Sequence, residues 1–159
     1  MIAGIGNIFL QDDAFGTAVI RQVEEKGSLQ NVEINNVGTG GLKLAYDLMK
    51  GYDGLVLIDA SRRGEEPGTL YIIEPNEQDI PAVLEEGSFI DPHGADPATV
   101  LRFIRALNAW PGKVVIVACE PAAAEEFAIG LSDSVAASVE KAVQLVEDIV
   151  REMNEEINK

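Results

Sequence analysis

Apolar positions along this chain follow two alternating patterns, a short β-branched run and a helical stripe, almost from end to end. Residues 2–6 read as a strand, and a loop leads from it into a helix over about 13–25. Residues 32–36 read as a second strand, after which Gly38-Thr-Gly-Gly41 turns into a short helix near 42–49. The stretch 55–60 is almost continuously apolar, the pattern of a strand buried on both faces of a parallel sheet. Residues 69–74 form a fourth strand, reached by a connection (62–68) short enough to predict a hairpin-like antiparallel pairing. After an irregular stretch over 75–96, Asp96-Pro97 supplies a cap and a first-turn proline for a helix to about 108. Residues 113–118 are the last strand. Ser132 stands where it can cap a final helix whose Val135, Val139, Ala142, Val146 and Ile149 share one face. The polar tail 152–159 is expected to fray.

This alternation predicts a single α/β domain over 1–159, a three-layer α/β/α sandwich on a mostly parallel twisted sheet of about five strands, one of them antiparallel. Such sheets bind ligands beyond the carboxyl ends of their strands. The chain carries candidates for that edge in Asp13, after the first strand, Asp59, at the end of the third, and His93, in the turn Asp91-Pro-His-Gly94. Brought together, two carboxylates and an imidazole suit a borderline transition metal such as nickel or zinc.

Charge narrows the field of partners. Against 12 Lys plus Arg stand 27 Asp plus Glu, a net charge of −15, so nucleic acid and anionic membrane surfaces are not expected. Cys119 has no partner for a disulfide, and no apolar run is long enough to span a membrane. The chain enters its first strand at once, without the pattern of a secretory signal, so a cytoplasmic location is expected.

Each candidate also has a plainer reading. Asp59 is either a site carboxylate or an acid accepting hydrogen bonds from a nearby loop. Adjacent helical residues diverge, so only one of Asp12 and Asp13 can face a site; Asp12 is better read as an N-cap. His93 lies in a polar turn and is either functional or merely solvated. Gly4-x-Gly6 is no dinucleotide fingerprint, because its third glycine would fall at Phe9. Gly38-Thr-Gly-Gly41 marks a tight turn more readily than an anion site. Cys119 has only His93 as an available imidazole base and reads as structural. Arg62-Arg63 either binds a carboxylate or pairs with Glu65 and Glu66, and pairing is favoured.

Taken in order, the segments resemble the maturation endopeptidases of nickel-iron hydrogenases. The matching pieces are Gly4-x-Gly-Asn-x-x-x-x-Asp-Asp-x-x-Gly16, Gly38-Thr-x-Gly41, Leu57-Ile-Asp-Ala60, Arg63-Gly, Pro67-Gly-Thr-Leu70, Pro92-His-Gly94, Cys119-Glu-Pro121 and Gly130-Leu-Ser132. The resemblance implies an enzyme that removes a C-terminal extension from the hydrogenase large-subunit precursor once nickel is inserted. It implies that Asp13, Asp59 and His93 engage that nickel, with catalytic and metal-recognition roles not separable. The substrate would supply the metal, so no permanent cofactor is expected. Asn36 departs from the aspartate usual before the Gly-Thr turn, putting in doubt any carboxylate role there. The alternatives are a non-catalytic nickel-sensing adaptor of hydrogenase assembly and a nucleotide-binding α/β protein.

Overall fold

The computed structural model describes residues 1–81 and 96–159. Five strands, β1 (Ile2–Ile5), β2 (Ile34–Gly38), β3 (Gly54–Ala60), β4 (Leu70–Ile73) and β5 (Lys113–Cys119), form one sheet in the order β2-β1-β3-β5-β4. The pairings β1–β2, β1–β3 and β3–β5 are parallel, and β4–β5 is antiparallel. Side chains on successive strand residues point to opposite faces, and the core divides accordingly. Val56, Ile58, Val115 and Val117 pack against α1 (Phe15–Lys26) and α5 (Val139–Ile157). Leu55, Leu57, Val114 and Ile116 pack against α2 (Gly41–Leu48) and α3 (Pro97–Ala106). The three-layer sandwich follows from this two-sided burial.

Helix boundaries fall where the local chemistry puts them. The Asp96 side chain caps α3 by accepting from the Thr99 amide at 3.0 Å, with Pro97 in the first turn. Gly27, left-handed at φ 58°, ends α1. Lys26 Nζ and the Ser28 hydroxyl then reach Glu147 on α5, clipping the two helices of one layer together.

The structure departs from the sequence expectations at several places. The antiparallel fourth strand is real, yet it makes no hairpin with β3. β5 lies between them, and the 61–69 connection crosses over its end through Ser61 N–Cys119 O (2.9 Å) and Gly68 N–Glu120 O (2.8 Å). An apolar strand of seven residues such as β5 needs a neighbour on each edge, so it displaces the local pairing. The first helix is preceded by a 3-10 turn at Gln11–Ala14. Ser132 precedes only a four-residue helix, α4 (Asp133–Ala136), and makes no side-chain cap. The tail does not fray at Glu152: α5 runs to Ile157, because Met153 is buried against Gly54.

Candidate functional site

The sheet order reverses direction between β1 and β3, and the open crevice of a parallel sheet lies at such a reversal. Asp13 comes from the turn after β1, and Asp59 ends β3 on the other side of the crevice. Glycines bring the two together. Gly16 packs so tightly that an added Cβ would stand 2.3 Å from the Ile5 carbonyl oxygen and 2.4 Å from that of Ile58. Gly6 has φ +124°, and a Cβ there would strike the Asp13 carbonyl oxygen at 1.8 Å. These two positions therefore admit only glycine, and they fix the Asp13 turn over the sheet edge.

Asp13 Oδ2 accepts from the Asn7 amide at 2.5 Å and is half-buried. Asp59 is only 3% exposed. Burial pushes both carboxyls above the usual carboxylate range, and the charge of Asp13 raises Asp59 further. Asp96 adds to that rise, while the Ala60 backbone opposes it. Among the described residues neither acid has a salt-bridge partner within 4.0 Å. Two neighbouring carboxyls with no salt-bridge partner among the described residues have the oxygen donors to hold a cation. Among the described residues no three His, Cys, Asp or Glu groups gather into a metal shell. His93, the third residue singled out from the sequence, lies outside the described residues.

Asp12 has a different task from the one its sequence position indicated. It does not cap α1. Its carboxylate, fully buried, accepts from the amides of Ala122 and Ala123 (2.9 Å each) and of Ser132 (2.7 Å), and from the Ser132 hydroxyl (2.9 Å). Burial alone would push its pKa up, but these donors outweigh it and hold the carboxyl below its usual value. Asp12 thus ties the Asp13 turn to the loop after β5. The divergence of adjacent acids was the available signal; the partner loop, 110 residues away, was not.

Glu120, also missed, performs a similar service on the far side. It accepts from the Arg63 amide at 2.8 Å and the Tyr71 hydroxyl at 2.6 Å, fixing the chain that leaves Asp59. Arg63 stacks over the Tyr71 ring at 5.4 Å; among the described residues neither Arg62 nor Arg63 forms the expected ion pair with Glu65 or Glu66. Cys119 is buried and its thiol is pushed up to about 12, chiefly by burial, so it is inert as a nucleophile. Gly38, at φ +58°, and Gly40, preceding α2, form the expected strand-to-helix turn. No helix among the described residues is long and apolar enough to cross a membrane.

The sequence profile described as "Hydrogenase maturation protease" matches residues 17–149. The chain is 33% identical to the hydrogenase 2 maturation protease of Escherichia coli over 96% of its own length and 90% of that protein's. Among solved structures, it resembles the hydrogenase maturating endopeptidase HybD from E. coli, with a TM-score of 0.75 and 31% identity, covering 95% of this chain and 91% of that one. It also resembles the crystal structure of a hydrogenase 2 maturation peptidase from a Thaumarchaeota archaeon (TM-score 0.70, 27% identity, covering 94% and 95%).

Proposed function

This chain belongs to the hydrogenase maturation protease family and is a peptidase of hydrogenase maturation, and we propose that it trims the C-terminal extension of a nickel-loaded large-subunit precursor. In this reading Asp13, Asp59 and His93 engage nickel that arrives with the substrate, and the metal anchors the scissile peptide at the crevice. The observation that supports the reading is the neighbouring pair of Asp13 and Asp59 at the sheet's switch point, without a salt-bridge partner among the described residues. A set of two carboxylates and one imidazole leaves open positions on a metal already held by substrate groups.

Water then adds to the scissile carbonyl carbon. Its proton passes to a carboxylate and from there to the departing amine as the peptide bond breaks. A carboxylate bound tightly to a cation loses basicity, so ligand and base are not the same residue at the moment of attack. Burial raises the basicity of both Asp13 and Asp59 in the free site, so either carboxylate is placed to take that proton.

The test is mass spectrometry of a large-subunit precursor, nickel-loaded or nickel-free, before and after incubation with the pure protein. Shortening of the nickel-loaded form alone is expected, and its loss in Asp59→Asn and His93→Ala. Normal trimming by both variants removes the assignment of the site. No shortened product from wild-type protein would make the chain a nickel-sensing adaptor.

A further inference from the structure

Beside the carboxylate pair lies an open cleft of about 580 Å³, and Gly6 and Asn7 belong to both. One lip is apolar and presented to solvent. Phe127 and Ile129 are each 83% exposed, and the Phe127 ring stacks on Phe9 with centroids 6.1 Å apart. This lip is firmly built. Leu10 and Ala128 form a parallel bridge, Ala128 N donates to the Phe9 carbonyl at 3.1 Å, and Gln11 N donates to that of Ala128 at 2.9 Å. Exposed aromatic and aliphatic groups held rigidly next to a reactive crevice mark a docking surface.

The other end of the cleft is polar. Thr17 Oγ1 donates to Asn36 Oδ1 at 3.0 Å, which leaves the Asn36 amide hydrogens without a partner among the described residues. Arg21 lines this end as well. The chain has 27 acids, yet among the described residues none lines the cleft, and Arg21 is the one ionised group of that described lining. Against a net charge of −15, that is a local reversal of sign. β2, which borders the cleft, is an outer strand of the sheet, so an extended chain can lie along it.

Resting on the proteolytic reading above, we infer that this cleft receives the extended segment of the precursor adjoining the scissile bond. Its residues nearest the bond are apolar and meet Phe9, Phe127 and Ile129, and a carboxylate farther along pairs with Arg21. The spacing follows from the helix. Asp13 and Arg21 are eight residues apart on the 3-10 turn and α1, a rise of about 12 Å, which an extended peptide covers in roughly three to four residues.

Two readouts separate the inference from the reading beneath it. The first is fluorescence anisotropy of a labelled peptide spanning the cut, titrated with wild type, Ile129→Asp and Arg21→Glu. Both substitutions are on exposed residues, and equal melting temperatures verify the fold. Each variant is expected to bind at least tenfold more weakly, with Arg21→Glu rescued when the peptide's acid three or four residues from the cut becomes lysine. Equal affinity for all three proteins overturns the inference, whatever happens to cleavage. So does a self-associating wild type that Ile129→Asp renders monomeric without loss of peptide affinity, since the lip then serves a second copy of the chain. The second readout is cleavage of the nickel-loaded precursor. KM should rise at least tenfold in both variants while kcat stays within about threefold. No cleavage by wild type, with peptide binding intact and variant-sensitive, overturns the proteolytic reading and leaves the cleft assignment standing.

Discussion

Replacing Asp12 by alanine removes one carboxylate and strands four donors at once. Three are backbone amides and one is a hydroxyl, at 2.7–2.9 Å from an acceptor that is fully buried. A hydrogen bond to a charged group contributes about 1.5–3 kcal/mol, and such bonds sharing one acceptor do not add fully. Water entering the vacated space satisfies some of the donors, so the net loss is about 3–5 kcal/mol. For a domain of this size, each kcal/mol moves the melting temperature by about 2–4 °C, so a drop of roughly 10 °C is expected. Asp12→Asn should cost less. Its oxygen can stand where Oδ2 stood and keep three of the donors, but its amide then confronts the Ser132 N–H, donor against donor. The pH dependence has a definite sign. The folded carboxyl lies below its ordinary 3.8, so its stabilisation is complete above that pH and is lost as pH falls through the folded value. Thermal melts followed by circular dichroism at pH 7 and across the acid range measure all of this. An alanine variant melting within about 1 °C of wild type at pH 7 would refute the clamp.

Asp59→Asn should abolish trimming yet raise the melting temperature at neutral pH. The folded pKa is raised, so wild type loses stability as pH climbs from 3.8 through the folded value, and asparagine removes that loss; an unchanged or lower melt at pH 7, with no narrowing of the gap toward pH 4, would contradict it. Gly16→Ala should cost about 2–3 kcal/mol, because its Cβ cannot fit between the carbonyls of Ile5 and Ile58, and denaturant unfolding reads this directly. Alkylating reagents at pH 8 should leave Cys119 unmodified in the folded protein, with activity unchanged, and intact-mass spectra check both.

Much of this protein was already written in its residue order. Runs such as 55–60 and 113–118 have only one stable setting, inside a sheet covered on both faces, so periodicity alone determined the alternation, the layers and the parallel character. The turn signals also determined which edge Asp13 and Asp59 would occupy, because Asp13 follows β1 and Asp59 lies near the end of β3, two strands that run the same way. Tertiary structure decided everything that depends on partners distant in sequence. The neighbour of β4 was chosen by the pairing needs of β5, outside the reach of any local hairpin signal. Asp12 became a clamp because a loop 110 residues away delivers its amides there. The bridge between Leu10 and Ala128 assembled the apolar lip of Phe9, Phe127 and Ile129, which no periodicity announces. Local sequence fixes the period and the φ preferences of a segment; only the folded chain brings donors to acceptors and one loop's rings onto another's.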